Sequence, residues 1–410
     1  MLIVGRAIAG IGGAGIATGV MSIVASVLPM QKRPIFLGII QSTFSAATVV
    51  GPLLGGLLTQ HVSWRWCFYI NLPLGTITFF TILLLFHPPP KPTESWSISE
   101  RLIKLDLLGV ILFIPAMAML LMALQFGGNK YAWKSATIIG LFCGFGGLIV
   151  VFAVWQLHQG DTAMIPRRIL AQRTVLAACI SAFLTMGALA TVVYYIPEWF
   201  QVIKAASPSK SGLMYLPLSL SDILVGNLSG FLISRLGYCN PFLLLGTMLM
   251  SVGIGLLSTL NISSSHTFWI PYQVIYGLGV GMAVSIPVIA VQTVLKPEDV
   301  PVGVAIVMLF QFAGGSAFLA ISQSVFLNEV ITSLKAHGID PIEIQTIIKA
   351  GSSNVRNVVG LTDLPKVLKS YNTGITSTFY LAATGSSISF LAALFLEWRN
   401  IRRKSPKATM

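Results

Sequence analysis

This 410-residue sequence has little charge, since Asp, Glu, Lys and Arg together make up 10% of it and the first acidic residue is Glu94. Water-soluble domains usually carry about 25% charged residues. A surface so poor in charge is not that of an ordinary soluble domain.

Several kinds of chemistry are also missing. The four cysteines follow no CxxC or metal-site spacing, and no Walker lysine or nucleophile–base–acid set occurs. No loop is long enough to hold a nucleotide-binding domain. We therefore predict that the protein is not an enzyme, binds no metal or cofactor, and works on an ion gradient rather than on ATP.

The net charge of +13 does not predict nucleic-acid binding, because the basic residues form short clusters between apolar segments rather than one stripe. The stretch "GIGGAG" (10–15) fits the dinucleotide pattern GxGxxG, but no acidic residue follows about 20 positions later. In an apolar span such small residues favour close helix packing instead.

Long apolar runs dominate what is present: 55% of the residues are hydrophobic and the mean hydropathy is +0.82. About 20 apolar residues span a bilayer as a helix. We predict an all-α polytopic membrane protein with eleven spans, at 2–28, 36–59, 67–87, 107–126, 135–157, 174–197, 211–234, 241–260, 268–294, 302–327 and 375–396.

The basic residues predict the orientation. Loops on one side carry 15 of the 26 Lys and Arg residues, and those on the other carry 10, half of them in one long segment. The positive-inside rule places the richer side and the C-terminus in the cytoplasm. With an odd number of spans, Met1 would lie outside, as would the glycosylation sequon at Asn261.

The chain contains a weak internal repeat. The segment that starts at Gly10 resembles the one that starts at Gly277, and Gly12 pairs with Gly279 at the same offset. Such repeats indicate two structural halves, and we expect these four glycines to lie at helix contacts.

Few polar side chains fall within the spans. Arg6 either faces a polar cavity or extends to the membrane surface. Asp222 is the only carboxylate at mid-membrane depth, and it is either a proton carrier or substrate contact, or a neutral hydrogen-bonding group between helices. Gln41, Gln292 and Gln311 either line a cavity or bond neighbouring helices.

Three motifs carry a family resemblance. "GRAIAGIGGAGI" (5–16), "ATVVGPLLGG" (47–56) and "SWRWCFYINLPLG" (63–75) resemble the major facilitator superfamily, and within it the fourteen-span drug:proton antiporters of the fungal toxin- and multidrug-efflux branch. The resemblance implies a proton-coupling role for Arg6. It also implies that an antiporter motif at Gly51, Pro52, Gly55 and Gly56 forms a conformational bend, although Ala47 stands where glycine is usual.

The resemblance further implies two pseudo-symmetric helix bundles: residues 1–87 as the remainder of the N-terminal bundle, 88–160 as a cytoplasmic linker plus two extra spans, 161–397 as the C-terminal bundle with an external loop at 328–374, and 398–410 as a basic tail. The family has three further spans before the Arg6 span, so we expect a truncated chain or an incomplete gene model.

These observations predict a monomeric transporter that exports hydrophobic small molecules in exchange for protons by alternating access. We expect it in the plasma membrane, with the vacuolar membrane as the alternative. Two other functions stay open: a proton-coupled importer of small solutes, and a truncated remnant that does not transport.

Overall fold

The computed structural model describes residues 2–85, 105–128, 130–360 and 362–402. These residues form helices and loops, with a single β-bridge between Gly127 and Tyr131 and one short 3₁₀ turn at Gly160–Thr162. The linker predicted from residue 88 falls mostly outside the described residues.

In the first part of the chain the described residues form six helices, of which α3 and α4 make one span. They are α1 (Leu2–Val27), α2 (Arg33–His61), α3 (Trp66–Tyr69), α4 (Asn71–Leu85), α5 (Leu107–Phe126) and α6 (Ala136–Gln159). Helices α5 and α6 pack on each other as a hairpin, and α5 also contacts the second part of the chain.

In the second part, which holds most of the buried core, ten helices lie within the residues that the structure describes. They are α7 (Arg167–Leu170), α8 (Arg173–Ile203), α9 (Pro208–Met214), α10 (Leu216–Leu236), α11 (Asn240–Leu257), α12 (His266–Ala283), α13 (Ile286–Val294), α14 (Val300–Ala336), α15 (Pro341–Val358) and α16 (Leu364–Ala393). Helix α8 is central, since it packs against α14, α16 and α13.

Ten segments within the described residues are long and apolar enough to span a membrane, and they correspond to the first ten predicted spans. The eleventh predicted span, 375–396, lies largely in α16. This helix does not reach the same hydropathy because serine, threonine and glycine recur along it, as in "TGITSTFYLAATGSSIS". It nevertheless packs lengthwise between α8, α11 and α14, so it belongs to the same bundle.

The predicted external loop at 328–374 is mostly helical, which corrects that expectation. Helix α14 continues to Ala336, α15 follows at Pro341–Val358 with a break at Gly351, and α16 begins at Leu364. Residues 341–350, before this break, form the first half of α15. Ile344 and Ile347 on its apolar face are buried, which explains why the segment folds back on the bundle.

Helix α2 joins the two parts of the chain. It runs antiparallel to α9 and α10, and glycines allow the backbones to touch. A Cβ atom at Gly38 would lie 2.9 Å from the Gly226 carbonyl oxygen, and one at Gly230 would lie 2.5 Å from that of Pro34. Contact this close is what small residues provide between helices in lipid.

Candidate functional site

The first candidate site is a cavity of about 580 Å³ between the two parts of the chain. Helices α1 and α2 form one wall, and α8, α13 and α14 form the other. The lining is mostly apolar, with polar groups from Gln41, Thr43, Ser285 and Gln311. Drug-sized ligands bind in pockets of this size and composition.

The apolar lining comes from all five helices. One wall contributes Ile16, Val20 and Met21 of α1, and Leu37, Ile40, Phe44 and Ala47 of α2. The other wall contributes Met186 and Leu189 of α8, together with Val284, Val288, Met308 and Phe312. Gly13 also lines the cavity, and no heavy atom lies within 4 Å of the position of its absent Cβ.

Two of the three predicted cavity amides lie here. Gln41 lines the cavity from α2, and Gln311 lines it from α14 while its Nε2 donates to the Val284 carbonyl oxygen at 3.1 Å. That carbonyl is released at the break between α12 and α13, where Ser285 also faces the cavity. Both amides therefore line the cavity, and Gln311 also forms a hydrogen bond to the break between α12 and α13.

Gln292 lies outside this cavity and takes the second of its two predicted roles, a hydrogen bond between helices. Its Oε1 accepts a hydrogen bond of 2.8 Å from Nη1 of Arg33, at the end of the molecule predicted to be cytoplasmic. The Arg33 guanidinium also donates to the carbonyl oxygens of Ala25 and Leu28 at the end of α1. The sequence analysis missed Arg33 because its partner lies 259 positions away.

A second bond at that end involves Arg168 and Asp299. Both guanidinium nitrogens of Arg168 donate to the Asp299 carboxylate, at 2.7 and 2.8 Å, and link α7 to the start of α14. The hydrogen bonds and charge of Arg168 hold the pKa of Asp299 below its usual value, against the opposing effect of burial. The pair is half exposed on the arginine side, so we assign it an organising role rather than a large contribution to stability.

Asp222 lies at the contact between α2 and α10, outside the cavity lining. It is 4% exposed and accepts a short hydrogen bond from Oγ of Ser45. Asn227, further along α10, donates to Oγ of Ser42 at 2.6 Å. Ser42 and Ser45 therefore join Asp222 as polar residues of this contact, although the sequence analysis did not single them out.

Arg6 lies on the exposed surface of α1. It is seven residues before Gly13, which corresponds to about 10 Å along the helix axis. The guanidinium does not line the cavity, so the coupling role implied by the resemblance stays a prediction.

The predicted antiporter motif lies within one continuous helix, because α2 runs through Pro52 from Arg33 to His61. Pro52 and Gly56 face α9: a Cβ at Gly212 would lie 3.4 Å from that of Pro52, and a Cβ at Gly56 would lie 2.5 Å from Oγ of Ser209. Gly51 and Gly55 have open space at the same position. Half of the motif thus packs against the second part of the chain.

The repeat glycines differ between the two copies. A Cβ at Gly277 would lie 2.4 Å from the Leu218 carbonyl oxygen, and one at Gly279 would lie 2.4 Å from the Met250 nitrogen. Gly10 and Gly12 have no heavy atom within 4 Å of that position, so the structure contradicts their prediction as helix-contact residues. Helix α1 is largely exposed, which is the physical reason.

Asn261 lies in the exposed loop between α11 and α12, where its Oδ1 accepts hydrogen bonds from the hydroxyls of Ser263 and Ser264. The described residues contain no group of three or more His, Cys, Asp or Glu side chains that could hold a metal ion. A second cavity of about 460 Å³ lies between α5, α8 and α14 and is lined by Gln125, Tyr194 and Gln323, among others.

Comparisons with known proteins fit this architecture. The family model for the Major Facilitator Superfamily matches residues 1–319. "Efflux pump roqT" of Penicillium rubens is 40% identical over 403 residues, covering 98% of this chain and 74% of that protein. "MFS-type efflux pump MFS1" of Arthroderma benhamiae is 41% identical over 406 residues, covering 98% of this chain and 75% of that protein.

A third relative is "MFS-type transporter astH" of Aspergillus oryzae, which is 40% identical over 98% of this chain and 71% of its own length. Among solved structures, an inward-facing bacterial homologue of the human lysosomal transporter Spinster aligns over 96% of this chain, at 12% identity and a TM-score of 0.48. These relatives are transporters rather than enzymes.

Proposed function

This chain belongs to the major facilitator superfamily, and we propose that it exports hydrophobic small molecules in exchange for protons by alternating access. It is a multi-pass membrane protein, and its relatives at about 40% identity include proteins named as efflux pumps. The naming of these relatives as efflux pumps supports the direction of transport proposed here.

The observation that carries the proposal is the composition of the 580 Å³ cavity. Its walls are mostly aliphatic, aromatic and methionine side chains, while Gln41 and Gln311 supply directional hydrogen bonds. A cavity of this kind gains binding free energy from the burial of apolar ligand surface, at about 25 cal/mol per Å². Flexible methionines adapt to ligands of different shape, which suits a pump of broad specificity.

The position of the cavity supports alternating access. Its walls come from α1 and α2 on one side and from α8, α13 and α14 on the other, so relative movement of the two walls would open it to one side of the membrane at a time. We propose that the α2 contact with α9 and α10, including Pro52 and Gly56, is the surface that repacks. Asp222 carries the exchanged proton, and Arg6 tunes the coupling.

The remaining assignments belong to the same proposal. Transport uses the proton gradient, needs no cofactor and involves no nucleic acid. The transporter acts as a monomer in the plasma membrane. The substrate is defined by chemistry, as a neutral or weakly polar molecule that partitions into lipid.

A pair of tryptophan substitutions in α2 tests the cavity. Ala47 lines it, whereas Ile39 is 49% exposed on the outer surface of the same helix. Ala47→Trp should fill the cavity and reduce the efflux of the neutral hydrophobic dye Nile red from yeast cells by at least about tenfold, equivalent to 1.4 kcal/mol of lost binding. Ile39→Trp is the matched control.

Equal expression of the two variants at the cell surface makes the comparison valid. Efflux that is unaffected by Ala47→Trp, or equally reduced by Ile39→Trp, would contradict the assignment of the cavity as the transport site.

A further inference from the structure

Helix α2 has two distinct faces. Ile40, Gln41, Phe44 and Ala47 line the substrate cavity. The face centred on Ser42 and Ser45 is turned toward α10. At 100° per residue, Ile40, Phe44 and Ala47 are centred about 160° from Ser42 and Ser45 and so lie on the opposite side of the helix. Gln41, four residues before Ser45, lies at the border between the two faces.

The second face is polar at its centre. Ser45 lies near the middle of α2, and Asp222 lies near the middle of the segment formed by α9 and α10. The Ser45 hydroxyl donates to one oxygen of the Asp222 carboxyl group. The other oxygen, Oδ1, has no hydrogen-bond partner among the described residues.

Each helix packed around Asp222 contributes a defined neighbour. Tyr215, at the junction of α9 and α10, and Tyr276, on α12, are close enough to interact with it electrostatically. The Gly281 backbone on α12 is so close that an added Cβ would lie 3.3 Å from Oδ1. No Lys or Arg side chain in the described part of the chain forms an ion pair with Asp222.

Further buried oxygens share this region. The Tyr276 hydroxyl and Oε1 of Gln273, one turn apart on α12, also lack a hydrogen-bond partner among the described residues. A buried polar atom without a partner costs about 1–3 kcal/mol, so such atoms are few in folded proteins. Because these atoms lie beside a buried carboxyl group and do not form a stabilising network with it, they indicate a site kept for function at a cost in stability.

We propose that Asp222 and Ser45 form a proton-binding site that helix α2 separates from the substrate cavity. In the packed arrangement the carboxyl group is protonated, because one hydroxyl donor and no cation would leave a buried carboxylate poorly compensated. When α2 moves away from α10, the hydrogen bond to Ser45 breaks, water reaches the carboxyl group and the proton leaves.

Coupling follows from the geometry of the shared helix. Helix α2 has two arrangements, packed on α10 or moved away from it. The substrate on one face and the proton on the other both shift the equilibrium between these arrangements, so each changes the affinity for the other without direct contact. This inference rests on the proposed function, and it specifies where the proton binds and what separates it from the substrate.

The experiment uses purified protein in liposomes that contain a pH-sensitive dye, with Nile red as the probe. Asp222→Asn removes the exchangeable proton. Ile40→Ala alters the cavity on the opposite face of α2. Asp363→Asn is the control carboxylate, because Asp363 lies in an exposed loop where it pairs with Lys366. Nile red affinity and proton movement driven by Nile red are measured for each protein.

We expect Asp222→Asn to abolish substrate-driven proton movement while its Nile red Kd stays within about twofold of the wild type, a difference of roughly 0.4 kcal/mol. Ile40→Ala should weaken Nile red binding and keep the number of protons moved per substrate. Loss of Nile red binding in Asp222→Asn would overturn the separation of the two sites, as would proton movement that persists in it.

Two further measurements guard against a folding defect. Ser45→Ala keeps the carboxyl group but removes its hydrogen bond, so it should shift the pH dependence of transport rather than abolish transport. Difference infrared spectroscopy should reveal a carboxylic-acid C=O band that titrates with pH in the wild type and in Asp363→Asn. The band should be missing in Asp222→Asn, and its presence there would overturn the assignment.

The outcomes also separate this inference from the proposed function. Wild-type protein that moves Nile red without any movement of protons contradicts the proposed proton exchange and this site together. Proton-coupled transport that is indifferent to both Asp222→Asn and Ser45→Ala contradicts the site alone.

Discussion

Asp106 shows how much a single buried carboxylate can organise. It precedes α5 and is 3% exposed, with a left-handed backbone (φ 43°). Its two oxygens accept hydrogen bonds from Trp155 Nε1, Gln156 Nε2 and the backbone nitrogens of Gly109 and Met164, at 2.6–3.1 Å. The carboxylate thus fixes the start of α5 to the end of α6.

The same contacts determine its titration. Burial raises the pKa of Asp106, but the four hydrogen bonds lower it further, so the net pKa lies below the ordinary value. A carboxyl group with a lowered pKa in the folded state contributes stability above its unfolded pKa, about 3.9, and that stability is lost as the pH falls through the folded pKa.

Asp106→Asn is therefore expected to destabilise the α5–α6 hairpin by about 2–3 kcal/mol at neutral pH. Asparagine also adopts the left-handed backbone. Its amide nitrogen, however, is a donor, and in place of Oδ2 it would face the donors of Gln156 and Met164 without accepting from them. Thermal unfolding in detergent at pH 7 and at pH 4 measures the effect. A melting temperature equal to the wild type at pH 7 would show that the hydrogen bonds to Asp106 contribute nothing to stability.

Residue-scale roles were only partly predictable from the sequence. Asp222 was recognisable because a carboxylate at mid-membrane depth is rare, and Gln41 and Gln311 because amides are rare in spans. Ser45 and Arg33 were not, since a serine or a loop arginine becomes informative only when its partner, 177 or 259 positions away, is known. For the same reason the sequence left both roles of Gln292 open.

At the scale of elements, α2 is the helix on which the account depends. One face lines the cavity, the opposite face packs on α9 and α10, and the antiporter motif lies toward its end. The helix itself was predictable from its apolar run. Its two faces were not, because a hydropathy pattern in lipid does not distinguish a packed face from an exposed one.

Breaks between helices were also hidden in the sequence. Val284 and Ser285 separate α12 from α13, and Tyr215 separates α9 from α10, yet each pair of helices was predicted as one span. The first break faces the cavity and releases the Val284 carbonyl oxygen to Gln311. Hydropathy averages over such breaks, since one or two residues change the mean hydropathy of a whole span very little.

Close packing between α2 and α10 leads to a prediction for glycines. A Cβ at Gly230 would lie 2.5 Å from the Pro34 carbonyl oxygen, and backbone cannot rotate away. Gly230→Ala should therefore force the helices apart, cost about 1–3 kcal/mol and reduce efflux of Nile red. Thermal unfolding in detergent and dye efflux from cells measure the two effects.

Gly255→Ala in α11 is the matched control, because no heavy atom lies within 4 Å of its Cβ position. We expect stability equal to the wild type, or higher by up to about 1 kcal/mol from helix propensity. If the two substitutions proved equivalent, the close approach of α2 to α10 would have no energetic importance.

At the scale of the whole molecule, the membrane class and the positions of ten spans followed from composition and run length, because the bilayer fixes the length of an apolar helix. The weak point was the region after α14, where α16 is rich in serine and threonine and where a predicted loop is mostly helical. There the bundle buries polar side chains: Ser370 lies in the segment predicted as a loop, and Ser389 lowers the hydropathy of the eleventh predicted span.

Which helices pack against each other could not be predicted from the sequence. The cavity brings together residues from Gly13 to Phe312, and the α2–α10 contact joins segments about 180 positions apart. Their pairing depends on shape and on small residues facing each other, which no local pattern records. The family resemblance supplied the expectation of two halves, and the structure supplied the residues between them.

Transport of Nile red by inside-out vesicles tests the central claim most directly. In such vesicles an exporter that exchanges substrate for protons should accumulate Nile red in the lumen when the lumen is acidic, and a protonophore should abolish the accumulation. An importer driven by protons would instead carry the dye outward under the same gradient. Accumulation that needs no acidic lumen, or movement of the dye in the outward direction, would contradict proton-coupled export.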